Sequence, residues 1–168
     1  MSKNTIIYNF LQTLEKFPDN PAIVVMGETI SYSQLYSRAS IIAASINHYS
    51  EIINPPLVAI FAHRSATAYV GILSSLILGY GYVPLNRTFP EDRNKTMLLL
   101  SGCKVVIVDE KSEVQLKAVL DEIEHEMLII MPECDNVEKY KINWPQHRII
   151  GANDLIQCER YDAAIVEG

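Results

Sequence analysis

Ile7, Phe10, Leu11 and Leu14 recur at spacings of three and four and predict one apolar stripe on a first helix, capped by Asn4 and ended by Phe17-Pro18-Asp19-Asn20-Pro21. The β-branched run 22–26, then Gly27-Glu28, then the run 29–31 predict a hairpin that turns at a glycine. Ser31-Tyr32-Ser33-Gln34 has the spacing of a capping box, in which a hydroxyl takes one free amide and the Gln side chain reaches back. A second helix follows, with Leu35, Ala39, Ile42, Ile46 and Tyr49 in period, and Pro55-Pro56 keeps it from running into the next element.

From residue 57 the pattern becomes rhythmic. Short apolar runs at 57–61, 82–85, 104–108 and 127–131 are separated by helix-length stretches at 66–78 and 90–100, and by one that Ser112-Glu113-Val114-Gln115 opens and Leu116, Val119, Leu120 and Ile123 continue. This alternation predicts an α/β fold, a largely parallel sheet with helices on both faces, in a single domain over residues 1–168. Runs 57–61 and 105–108 are apolar without alternation, as strands buried on both faces are. Residues 132–147 break the rhythm with Pro, Asn, Glu and Lys and read as an exposed connection around the single Trp144. Runs 148–150 and 163–166 are candidates for further strands.

Composition then narrows the function classes. Hydrophobic residues make up 49% and charged residues 20%, the balance of a folded protein rather than a disordered one. Fourteen basic residues are scattered among 20 acidic ones for a net charge of −6, so there is no clustered cationic surface to displace counterions, and no nucleic acid is expected as partner. The most apolar stretch, 70–78, falls short of the roughly 20 residues that span a bilayer, and the start lacks the apolar block of a secretory signal. No membrane is expected, and the expected location is cytoplasmic. Cys103, Cys134 and Cys158 are too widely spaced for a Cys-x-x-Cys pair, and their odd number fits a reducing compartment better than a disulfide framework.

Candidate chemistry is sparse. Gly79-Tyr80-Gly81 invites a phosphate-loop reading, but these glycines end a helix and lead into a strand, the reverse of the order that aims a helix N-terminus at an anion. C-capping is the better account. His63-Arg64-Ser65 stands between a strand and a helix, where open α/β sheets place ligands, and reads either as an anion or substrate contact or as a Ser65 cap with Arg64 paired to a surface carboxylate. His48, His125 and His147 lack metal-ligand spacing and read as surface residues. Asp109-Glu110 after a strand suggests a receiver-type phosphoacceptor, yet that fold also wants acidic residues where His63 and Arg64 stand. Gly-x-Ser-x-Gly is absent. The residues thus assign no catalytic group and no metal ligand, and leave cofactor-binding positions unassigned.

Two segments together resemble the adenylation domains of non-ribosomal peptide synthetases and their relatives, the D-alanine-activating ligases and acyl-CoA synthetases. Thr29-Ile30-Ser31-Tyr32-Ser33-Gln34-Leu35 is similar to the family's early Thr/Ser-Tyr-x-Glu-Leu motif, with Gln34 where Glu is commoner. Gly71-Ile72-Leu73-Ser74-Ser75-Leu76-Ile77-Leu78-Gly79-Tyr80-Gly81-Tyr82-Val83-Pro84-Leu85-Asn86, followed by Phe89-Pro90-Glu91-Asp92-Arg93, resembles the more specific second motif, Leu-Lys-Ala-Gly-x-Ala-Tyr-Val-Pro-Leu-Asp and then Tyr-Pro-x-Glu-Arg. Leu78, Gly81 and Asn86 depart from it without removing its structural features.

The resemblance implies the N-terminal portion of an AMP-binding, adenylate-forming ligase, broken off before its nucleotide-binding motif, whose approach Tyr161-Asp162-Ala163-Ala164-Ile165-Val166 resembles. It implies ATP and magnesium as cofactors of the parent enzyme and none for this portion alone. The implied partners are the remainder of the adenylation domain and, for the parent, a carrier protein or coenzyme A; uncovered apolar surface would favour self-association. A scaffold segment, inactive by itself, is the expectation. The alternative, from another class, is a free-standing α/β module that binds a partner or small ligand without catalysis.

Overall fold

The computed structural model describes residues 5–51 and 53–162. Helix α1 (Ile6–Lys16) begins at Thr5, whose side-chain oxygen accepts the Tyr8 N–H; the expected cap, Asn4, lies outside the described residues, as does the run 163–166. Strands β1 (Pro21–Val25) and β2 (Glu28–Ser31) pair antiparallel through a two-residue turn, Met26-Gly27, with φ of 50° and 81°. Two positive φ angles match the turn to the twist of the strands. Both halves of the capping box are made at α2 (Tyr32–Tyr49): Ser31 Oγ accepts the Gln34 N–H at 3.3 Å and Gln34 Oε1 accepts the Ser31 N–H at 3.0 Å.

The alternation that follows gives β3 (Leu57–Phe61), α3 (Ala66–Ile77), β4 (Gly81–Leu85), α4 (Glu91–Ser101) and β5 (Val105–Val108). After β5 the expectation fails in detail. Asp109, directly at the strand exit, takes the Ser112 N–H on Oδ1 at 2.8 Å, so it is the cap and not Ser112; a 3-10 stretch, Glu110–Gln115, leads into a short α5 (Leu116–Leu120). Strand β6 (Leu128–Met131) comes next, then α6 (Glu138–Asn143) and β7 (Arg148–Gly151). Residues 132–147 are therefore not an exposed connection. Val137, Tyr140, Trp144 and His147 are buried, with the Tyr140 and Trp144 rings stacked at 6.0 Å, because this stretch closes one face of the sheet.

Five strands form one parallel sheet in the order β4-β3-β5-β6-β7. Successive residues of a strand face opposite ways, and the core divides accordingly. Val105, Ile107, Leu128, Ile130 and Ile150 pack under α1, α2 and α3 with Ile7, Ile42, Ile46 and Leu73. Val106, Val108, Ile129, Met131 and Ile149 pack under α4, α5 and α6 with Leu98, Leu120 and Tyr140. Helices cover both faces, which is why these strands are apolar throughout. Among the described residues no helix is long and apolar enough to cross a membrane.

Candidate functional site

Strand β3 has β4 on one side and β5 on the other, so the chain reverses its direction of travel across the sheet there. In open α/β sheets the crevice at the carboxyl ends of two such strands is the usual ligand position. Just beyond Phe61 and Val108, His63-Arg64-Ser65 and Asp109-Glu110-Lys111 line a hollow of about 230 Å³, completed by Glu133 and by Val25, Met26 and Glu28 of the hairpin. Two larger hollows, of about 540 and 470 Å³, lie at the opposite end of the strands near Tyr49 and Arg148.

Asp109 is the hub of the crevice. It is 2% exposed. Its Oδ2 accepts the His63 N–H at 3.1 Å and the Ser65 hydroxyl at 2.8 Å, and its Oδ1 accepts the Ser112 N–H at 2.8 Å. The Arg87 guanidinium lies 3.7 Å from Oδ2 and donates to the His63 carbonyl at 3.1 Å, while Gln115 donates to the Arg87 carbonyl at 2.9 Å. Burial pushes the carboxyl up, but the bonds from Ser112, Ser65 and the backbone amides outweigh it and hold Asp109 below its usual value. A carboxylate held ionised with both oxygens occupied is a poor base and a poor nucleophile. Its geometry is that of a strut joining the exits of β3, β4 and β5.

The other sequence candidates are placed as follows. Ser65 caps α3, accepting the Ala68 N–H at 3.4 Å while it donates to Asp109. Arg64 is exposed at φ 50° and, among the described residues, makes no ion pair, so the expected carboxylate partner is absent. Glu28 is paired with Arg38 at 2.7 Å, and Glu133 accepts the Glu110 N–H at 2.9 Å. Gly79 has φ 74°, with its N–H on the Leu76 carbonyl and the Tyr80 N–H on the Ser75 carbonyl, the two bonds of a Schellman C-cap. A Cβ on Gly81 would stand 2.8 Å from Leu57 Cδ2, so that glycine serves close strand packing. Asn86 Oδ1 takes the Thr88 N–H and hydroxyl, and the fully buried Asn94 side chain brackets the Asn86 backbone on both sides.

His48 and His125 are exposed, but His147 is not a surface residue: it is 6% exposed and its Nδ1 accepts the Met127 N–H at 3.3 Å. Burial, then the nearby His125, push its ring below the usual histidine value. Among the described residues no group of three or more His, Cys, Asp or Glu side chains could hold a metal ion. Arg87 and Asn94, central to this end of the sheet, carried no local signal, because their partners lie on other elements.

The family model of AMP-binding enzymes matches residues 10–156. Indigoidine synthase of Dickeya dadantii is 29% identical over 117 residues, which cover 70% of this chain and 8% of the synthase. Tyrocidine synthase 3 of Brevibacillus parabrevis is 34% identical over 101 residues, 60% of this chain and 2% of the synthase. The structure of the Vibrio cholerae adenylation domain AlmE, in complex with glycyl-adenosine-5'-phosphate, superposes with a TM-score of 0.77 at 22% identity, covering 98% of this chain and 30% of that one. IdnL7 superposes with a TM-score of 0.69 at 25% identity, over 89% of this chain and 28% of that one. With its α/β fold, its motif around Gly79 and a family match over most of its length, the chain belongs to the AMP-binding enzyme family.

Proposed function

We propose that this chain is a scaffold segment of an ATP-dependent carboxylate-activating ligase and is inactive on its own. In the whole enzyme a carboxylic acid and ATP would give an acyl-adenylate and pyrophosphate, and the acyl group would pass to a thiol of a carrier protein or coenzyme A. The observation that carries the reading is the state of residues 71–94. Gly79 is used up in a helix cap, Gly81 in strand packing, and Asn86 and Asn94 in holding the turn after β4. None is aimed at a ligand.

The crevice at β3 and β5 does not fit ATP and magnesium. Its strand-to-helix loop, Ala62-His63-Arg64-Ser65, contains no glycine to bring backbone amides around a phosphate, and Glu28, Asp109, Glu110 and Glu133 surround the cations Arg64 and Lys111. Phosphoryl chemistry depends on charge stabilisation that such a surface opposes. The remainder of an adenylation domain would supply it, in the cytoplasm.

Titration calorimetry with ATP and magnesium, together with carboxylate-dependent exchange of pyrophosphate into ATP across amino acids and fatty acids, is expected to give no saturable micromolar binding and no exchange. Binding with substrate-dependent exchange would overturn the reading.

A further inference from the structure

Beyond β7 the chain runs as residues 155–162 without helix or strand pairing, back along α2 in the opposite direction. Four side chains of α2 hold it. The Tyr49 hydroxyl donates to the Asp154 carbonyl at 2.8 Å, Ser45 Oγ accepts the Ile156 N–H at 2.9 Å, Ser40 Oγ accepts the Tyr161 N–H at 3.0 Å, and the Tyr36 hydroxyl donates to the Tyr161 carbonyl at 2.8 Å. Every one of these bonds ends on a backbone atom.

The two serines are otherwise out of place. Both are fully buried in the middle of a helix, where serine weakens the helix; the Ser45 hydroxyl donates to the Ile41 carbonyl at 2.8 Å, which leaves its lone pairs free to accept. Alanine, the best helix former, would fit either position as well by size. What serine adds is an acceptor for an amide arriving from outside the helix. Leu155 and Tyr161 complete the seat by packing on the core under α2.

We propose that this face of α2 is a docking track that reads an extended polypeptide backbone, that residues 154–162 of this chain are its occupant, and that the segment leaves and rejoins the track while the sheet stays folded. Backbone bonding sets where the segment lies and in which direction it runs. Side-chain anchoring is confined to half-buried positions such as Leu155 and Tyr161, since Gln157, Glu159 and Asp162 are exposed. Independent release follows from its small share of the core: it adds no strand to the sheet, and segments with few buried contacts open at lower free energy than the core. The track stands on this geometry and does not require the ligase reading.

Amide hydrogen exchange on the full chain tests it. In the unaltered protein the amides of Ile156 and Tyr161 are expected to be protected, yet to exchange faster than those of β5. Ser40→Ala with Ser45→Ala should speed those two amides about tenfold or more, as loss of a roughly 1.4 kcal/mol bond would, and speed trypsin cleavage after Arg160, with β5 unchanged. Should that double variant fail to fold, Tyr36→Phe with Tyr49→Phe removes only two hydroxyls and is expected to release the same segment. Unprotected Ile156 and Tyr161 amides in the unaltered chain would overturn the track. So would a segment freed by Leu155→Ala but unmoved by the serine and tyrosine variants, since side-chain burial would then be what holds it.

Discussion

Gly79 stands at φ 74° with nothing beyond its own chain neighbours within 4 Å of where a Cβ would be, so backbone strain is the main cost of replacing it. Gly79→Val is expected to lose about 1–2 kcal/mol, the cost of a left-handed non-glycine residue, read as a lower urea midpoint at an unchanged slope; an unchanged midpoint would refute the C-cap role. That cap was legible in the sequence because its signal is local, a glycine after the last apolar position of a helix. His147 was not legible. Its ring lies against the start of β6, where Nδ1 accepts the Met127 N–H, and a lone histidine carries no mark of that. The buried ring titrates below the usual 6.5, so the unfolded chain takes up the proton first and stability falls as pH drops through 6.5, levelling off below the folded value. In His147→Asn, whose amide oxygen can replace Nδ1 as acceptor, the drop in urea midpoint between about pH 7.5 and about pH 5.5 should shrink. An equally steep drop would place the acid sensitivity elsewhere.

Helix α3 is apolar on most of its circumference, and burial on nearly all sides follows from that pattern. Thr67, Val70, Gly71, Leu73, Ser74, Ser75 and Ile77 are buried, and only Tyr69, at 44%, is exposed among its large apolar residues. Leu73→Ala is expected to cost about 2–5 kcal/mol through lost transfer energy and the cavity left behind, and Tyr69→Ala well under that; equal costs in denaturant unfolding would contradict the orientation of the helix. Long periodic elements such as α2 and α3 were readable because the pattern repeats over several turns. Helix α6 has six residues, too few to repeat. Val137, Tyr140 and Trp144 do recur at spacings of three and four, yet the polar residues between them outnumber the signal. Misplacing the cap after β5 has a related cause: Asp109 and Ser112 are both good caps, and the choice was made by Asp109 also serving His63 and Ser65 across the sheet.

Across the whole molecule, alternation of strands and helices implied a parallel sheet, but which strand lies beside which depends on how each crossover packs, and hydrophobic pattern does not encode it. The crevice shares that limit. Asp109 and His63 are 46 positions apart and meet only because β3 and β5 are neighbours. Asp109 therefore measures the assembly of the sheet as a whole: it ties the exit of β5 to the loop that opens α3, and through Arg87 to the turn after β4. Asp109→Asn keeps the shape but replaces one acceptor with a donor facing the His63 N–H or the Ser112 N–H. The expected loss near neutral pH is roughly 1–3 kcal/mol, the range for an unmatched bond to a charged group. The sign of its pH dependence follows from the depressed carboxyl. The unfolded carboxyl titrates near 3.8 and the folded one below it, so the stabilisation is present above 3.8 and is lost as pH falls through the folded value. Urea midpoints of the unaltered chain and of Asp109→Asn should thus differ most near neutrality and converge in acid, provided both remain folded there. A gap that stays constant with pH would mean that the variant acts by misfit alone, and that an ionised Asp109 does not hold the carboxyl ends of these strands together.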